Sequence, residues 1–341
     1  MASTTTNYGF DVPTSSDLVK NGATQIALLG QDLDTFLFRP FTRNGVINSG
    51  YQIGQRGTSF TVGNGYTLDR WYGFSGGAGR TISRQLTSDT TNLPNIQYCA
   101  RVQRDSGNSA TNDVQFYQPF ESINAIPFAG KQLTLSFYAR KGANYAPSTA
   151  NALECEVTSG TGTDQNPISG YTGENKFINT NVTLTTTWQR FTVTGTMPAT
   201  GTEMFVRFRI GGNAYTGTAG AADYYEVTGV QVEVGNQATP YAPAGSSYQA
   251  ELAMCQRYYY QAISSEGGNL SMGFMYSASQ LQFTLSYPVT MRAQPTIVQV
   301  TGTDYWQFNR NGGQDLFNSW TLATASTTAV SLYNNTEISG T

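Results

Sequence analysis

Apolar and polar residues alternate with period two along most of this chain. The pattern is clearest at residues 132–140 (QLTLSFYAR), where Leu133, Leu135, Phe137 and Ala139 share one face. It recurs at 191–195 and 204–210. Further strand candidates are 58–62, 68–74, 81–87, 96–104, 114–120, 153–159, 182–185 and 224–234, with Gly, Asn and Pro clusters between them. Roughly ten strands over some 200 residues predict a two-sheet sandwich.

One segment breaks the alternation. Residues 14–38 predict a helix, with Ser15 or Ser16 as cap and Asp17 complementing the dipole in the first turn. Val19, Ile26, Leu29, Leu33 and Phe36, with Gly22 filling one gap, follow the 3-4-3-4-3 seam of a coiled coil, a candidate self-association surface. A helix lying on its own β domain is the alternative. Gly22 and Gly30 each weaken the helix by about 1 kcal/mol relative to Ala. Ahead of it, Asp11-Val12-Pro13 predicts an extended arm, because the residue before Pro avoids the helical region.

Composition sharpens the class. Charged residues are 12% of the 341, about half the usual share, so Thr, Ser, Asn, Gln and Gly must carry solubility. Aromatics reach 13%, with 21 Tyr, as in all-β surface proteins. The net charge is −3 and no Lys/Arg cluster forms, so nucleic acid is not an expected partner. The three cysteines, Cys99, Cys155 and Cys255, are too scattered for a disulfide framework and read as buried free thiols. No run has the length of a membrane span. Met1–Phe10 has neither the basic start nor the apolar core of a secretion signal, so assembly in the cytosol is expected. The chain has no histidine, which excludes Ser-His-Asp and Cys-His catalysis and His-ligated zinc.

Three constellations could carry chemistry. Asp69-Arg70-Trp71 reads as a structural ion pair with the guanidinium on an aromatic ring. Glu154 and Glu156 flank Cys155 in one strand, so both carboxylates share a face. That is either a solvated face or, at suitable separation, a glycosidase pair. In Tyr258-Tyr259-Tyr260, rings on a strand would alternate faces, which suits packing better than ligand stacking.

Several stretches resemble structural proteins of tailed bacteriophages. Residues 7–37 (NYGFDVPTSSDLVKNGATQIALLGQDLDTFL) are similar to a leader at the N-termini of such proteins, which implies a virion-proximal end binding other virion proteins. Residues 133–140, 184–192 (LTTTWQRFT) and 229–235 (GVQVEVG) resemble the jelly roll of carbohydrate-binding modules. Residues 52–60 (QIGQRGTSF) with 66–72 (YTLDRWY) resemble the opening of that domain in phage fibres. Residues 231–235 and 238–241 (ATPY), then 251–259 (ELAMCQRYY), match a strand exit and following run of tail-fibre proteins, with Val232 and Tyr241 in place of Leu and Phe. Residues 283–297 (FTLSYPVTMRAQPTI) match a signature of the same proteins.

The resemblance implies an all-β chain with an N-terminal helix. An attachment arm and oligomerising helix would occupy residues 1–43, a jelly-roll β-sandwich 44–245, and a smaller C-terminal β-sandwich 246–341. It implies a non-enzymatic fibre or spike subunit of a virion, tail or head, contacting a host-surface glycan without membrane insertion. It also implies a homotrimer, although Ile26 and Leu29 at successive core positions lean by rule toward two strands. A free carbohydrate-binding module protein and a glycan depolymerase are the alternatives. Loop-tip aromatic rings stack on sugars in such modules, which nominates Tyr145, Tyr171 and Tyr215; covering the sandwich ends or a subunit interface is the other role open to them. Such modules often carry a structural Ca²⁺, for which Asp223 with Glu226, or Asp89 with Asp113, are the available carboxylates. No dedicated Asp-x-Asp-x-Asp calcium loop is present.

Overall fold

A computed structural model describes residues 3–4, 10–14, 18, 21–37, 44–93, 95–211, 215–277, 279–310 and 313–335. The chain forms two compact units, Met1–Glu251 and Leu252–Thr341. The first opens with two short paired strands, β1 (Ser3–Thr4) and β2 (Asp11–Val12), followed by the helix α1 (Gly22–Leu37). The helix starts later than the pattern predicts. Among the described residues, Leu18 is not helical, and its carbonyl accepts from the Asn21 N–H at 2.8 Å just ahead of Gly22. Of the predicted seam, Ile26 and Leu33 are exposed and Leu29 is half-buried; Val19 and the Phe36 side chain lie outside the described residues.

The sandwich follows. Its strands are β3 (Ser59–Thr61), β4 (Asn64–Tyr66), β5 (Tyr72–Ser75), β6 (Arg80–Leu86), β7 (Tyr98–Arg104) and β8 (Val114–Pro119). After a one-turn helix, α2 (Ser122–Ala125), come β9 (Gln132–Lys141), β10 (Ala152–Gly160), β11 (Asn175–Thr183), β12 (Gln189–Thr196), β13 (Glu203–Ile210) and β14 (Tyr224–Val234). They form two six-stranded antiparallel sheets, β11-β10-β13-β8-β5-β4 and β12-β9-β14-β7-β6-β3. From β8 onward the chain crosses repeatedly between sheets, the winding of a jelly roll. The predicted face of β9 holds: Leu133, Leu135, Phe137 and Ala139 are fully buried. They meet Val114, Phe116, Val206 and Phe208 of the opposite sheet in one continuous core. Trp71 stacks on Phe116 at 4.7 Å, and Phe137 sits edge-on to Phe208 at 4.8 Å.

Two local readings are corrected. Asp69-Arg70-Trp71 lies in a turn, not a strand. Arg70 takes φ +73° and donates to the Pro119 carbonyl at 2.5 Å, while Asp69 accepts from the Gln55 amide at 2.9 Å. Tyr258-Tyr259-Tyr260, read on a strand, instead follow a helix, α3 (Tyr248–Gln256), and none of the three lies in a strand. Ser247 caps α3 by accepting from the Ala250 N–H at 3.2 Å, and Glu251-Leu-Ala-Met254 are strong helix formers. All three cysteines are free and buried, as expected; burial pushes the Cys155 thiol up to about 12.

The second unit holds a four-stranded sheet, β15-β16-β20-β19, and a two-stranded hairpin, β17-β18, rather than two full sheets. The strands are β15 (Phe274–Ser277), β16 (Gln280–Ser286), β17 (Trp306–Arg310), β18 (Gly313–Phe317), β19 (Thr321–Ala325) and β20 (Ala329–Asn334). Trp320 lies against both Phe317 and Phe283, joining two small clusters. Among the described residues, no helix is long and apolar enough to cross a membrane.

Gly229 marks where β14 changes register against β9, between Thr228 and Gln231. Its φ is +57°, and a Cβ there would come within 2.8 Å of Ile96 and 3.0 Å of Tyr138. Gly229→Ala therefore combines a left-handed backbone penalty with a clash. Urea unfolding should show a loss of about 2 kcal/mol or more; an unchanged midpoint would contradict the bulge geometry.

Candidate functional site

Alternation in the first sheet leaves every second residue facing outward, and strand register assembles those residues into rows. One row crosses all six strands as Tyr66, Tyr72, Tyr117, Arg207, Glu156 and Asn179. The next runs Asn64, Phe74, Gln115, Arg209, Glu154 and Asn181. At roughly 4.8 Å per strand gap the rows extend about 24 Å. The first passes from three rings through a charged pair to an amide; the second carries one ring, Phe74, and a charged pair between amides.

The aromatic end is a connected surface. Tyr66 and Tyr72 meet edge-on at 5.1 Å, and Tyr72 tilts against Tyr117 at 5.1 Å. Tyr117 in turn adjoins Phe205 at 6.2 Å. Tyr66 is exposed, Tyr72 and Phe74 are half-buried, and Tyr117 forms the floor. The Tyr72 hydroxyl donates to Asn64 at 2.6 Å, and burial with the nearby Tyr66 raises its pKa. The Tyr117 hydroxyl is buried with no hydrogen-bond partner among the described residues, and burial raises its pKa.

The centre is a clamped ionic network. Arg207 donates to Glu156 at 2.6 and 3.1 Å and to Gln115 at 2.9 Å. Thr158 donates to the other Glu156 oxygen, and Lys176 lies 3.8 Å from it. Gln115 donates to Asp113 at 2.7 Å, and Asp113 accepts from Arg209 at 3.1 Å. Glu154 sits 3.9 Å from Arg209. Burial pulls the Arg209 pKa down, but the Asp113 and Glu154 carboxylates outweigh it and leave it raised. Arg209, Asp113 and Glu154 keep partial solvent access, so their remaining donors and acceptors can meet a ligand.

The predicted sharing of a face by Glu154 and Glu156 is therefore correct, but that face is neither simply solvated nor a free carboxylate pair. Glu156 is fully buried and occupied by Arg207 and Thr158.

The three nominated tyrosines are corrected: all are buried and none offers an open ring. Tyr171 lies edge-on to Phe205 at 5.3 Å, walling the sheet face. Tyr145 donates to the Ala152 carbonyl at 2.7 Å. Tyr215 is held between two buried guanidiniums, Arg80 at 4.8 Å and Arg104 at 4.7 Å. Their Gly- and Asn-rich surroundings suggest exposure, but the loops fold these rings back onto the sandwich. The proposed calcium carboxylates are also taken by other partners. Asp223 pairs with Arg104 at 2.8 Å, and Glu226 with Arg101 at 2.6 Å and Arg140 at 2.5 Å. Asp89 accepts from the Thr91 and Asn92 amides, and Asp113 belongs to the sheet face. Among the described residues no group of three or more His, Cys, Asp or Glu is placed to hold a metal ion.

Sequence reasoning missed Tyr66, Tyr72, Gln115, Arg207 and Arg209. A usable signal was present: β13 carries cations at 207 and 209, and β10 carries anions at 154 and 156, the same two-residue spacing with opposite sign.

No protein-family model and no curated protein matches the chain. Solved structures overlap it in part. An enzymatically active domain of bacteriophage CBA120 tailspike protein 4 does so at 12% identity, TM-score 0.36, over 56% of this chain and 21% of that one. A CBM4 structure does so at 18% identity, TM-score 0.35, over 55% of this chain and 98% of that one. TmCBM61, in complex with β-1,4-galactotriose, does so at 11% identity, TM-score 0.34, over 57% of this chain and all of that one.

The charge cluster around Tyr215 makes a direct test of packing. Asp223 is the carboxylate paired with Arg104, and both are fully buried. Asp223→Ala would leave that guanidinium buried without its counter-charge. Chemical denaturation should show a loss of about 3–5 kcal/mol, whereas a loss below about 1 kcal/mol would mean solvent reaches the pair.

Proposed function

We propose that the sandwich binds a glycan across the outer face of its first sheet, as the host-contacting part of a bacteriophage surface subunit, either fibre or spike. The observation that carries the glycan reading is the pair of cross-strand rows. Sugars offer apolar C–H faces and a rim of hydroxyls. The rings of Tyr66, Tyr72 and Phe74 suit the former. The planar groups of Arg209, Asp113 and Glu154 suit the latter, fixing orientation through a few polar contacts. The network holds these groups in place before a ligand arrives, which reduces the ordering cost of binding. Support for the virion role comes from the leader-like residues 7–37 and the fibre-like stretches at 231–259 and 283–297.

The role we propose is binding without catalysis. A glycosidase needs one carboxyl group free to protonate the leaving group and a second to act as nucleophile or base. On this face Glu156 is occupied by Arg207 and Thr158, and Asp113 by Arg209 and Gln115.

A glycan array probed with the full chain should identify a ligand whose affinity calorimetry can then measure. Tyr72→Ala and Arg209→Ala should each weaken it by about tenfold or more. Tyr145→Phe, which alters a buried ring away from this face, should leave affinity unchanged. An array without signal above background, or a ligand indifferent to both face substitutions, would defeat this reading.

A further inference from the structure

The second unit is short of core. Among the described residues, the first unit buries 44 apolar side chains and exposes 8 large ones, whereas the second buries 7 and exposes 8. The exposed set is patterned. Met272 is 93% exposed, Phe274 55% and Tyr276 68%, at every second position along an extended run ending in β15. Val298 and Val300 repeat the same spacing nearby in the sequence.

β15 is also an edge strand. It pairs with β16 on one side, and no described strand lies on the other. Edge strands in soluble proteins are blunted by shortness, by β-bulges, or by Lys, Pro or inward-pointing charge; β15 is four residues long and shifts register against β16 between Met275 and Ser277, but it carries none of the chemical guards. Here residues 267–291 contain no Asp, Glu, Lys or Arg, and β15 has no Pro.

We propose that this unit is the self-association surface of the protein, with the Met272–Phe274–Tyr276 stripe and the β15 edge covered by a second copy of the same chain. Charge selects the occupant. A partner bearing ions would bury them unpaired against a charge-free strip, whereas a second copy brings an equally uncharged strip. The helix α1 is the weaker candidate. It spans 16 residues and includes two glycines, short of the three or four heptads that sustain a coiled coil.

Sedimentation velocity on the full chain at micromolar concentration tests this. The wild type should run at two or more times 37.0 kDa. Phe274→Asp with Tyr276→Asp should fall to the single-chain mass and keep its near-ultraviolet circular dichroism, because both side chains are exposed. Ile26→Asp with Leu33→Asp should keep the wild-type mass. A wild type at the single-chain mass, a Phe274/Tyr276 variant that keeps the wild-type mass, or an assembly lost only in the helix variant would each overturn the proposal.

Discussion

The buried guanidinium–carboxylate contact between Arg207 and Glu156 fixes the centre of the first sheet's outer face. Two ionised groups taken out of water hold together only when their remaining donors and acceptors are also satisfied. Gln115 and Thr158 meet that condition, and Asp113 and Arg209 extend the network toward the exposed side. A sheet face that would otherwise need covering by apolar packing thus stays polar, rigid and partly open. The tyrosines along one edge complete a surface with both characters a sugar chain presents.

The same use of charge recurs across the sandwich. In a chain with few ions, several are spent as buried pairs: Arg104 with Asp223, and Glu226 between Arg101 and Arg140. These pairs close the sandwich end and pin the second sheet's outer face, where Arg140 also lies over Trp188 at 4.7 Å. Of the carboxylates that resemble calcium ligands in the sequence, Asp223, Glu226 and Asp113 are held by guanidiniums and Asp89 by amides.

Much of this was legible in the sequence and some was not, for physical reasons. Period-two alternation places Leu133, Leu135 and Phe137 in the core, and Glu154 with Glu156 on one face, because that arithmetic is local to a strand. It cannot reveal that β13 lies between β10 and β8, strands some 40 to 100 residues away in sequence, so the rows through Arg207 and Arg209 stayed hidden. The three loop tyrosines failed for the opposite reason. Local composition signals exposure, but burial depends on which partner a loop folds onto, and Arg80, Arg104 and Phe205 come from distant segments. The α3 helix was masked by the aromatic run beside it, although Ser247 and the helix formers after it were there to be read.

A single sheet face of this kind suits modest affinity. Several copies joined through the second unit would raise it by avidity rather than by tighter contacts. Binding chemistry and assembly would then sit in separate units of one chain. The most direct measurement is a structure of the protein bound to its glycan. Sugar rings lying over Tyr72 and Phe74, with hydroxyls within hydrogen-bond distance of Arg209 and Glu154, are the expected result. A glycan seated on the outer face of the second sheet, or at the loops around Tyr145 and Tyr215, would contradict it.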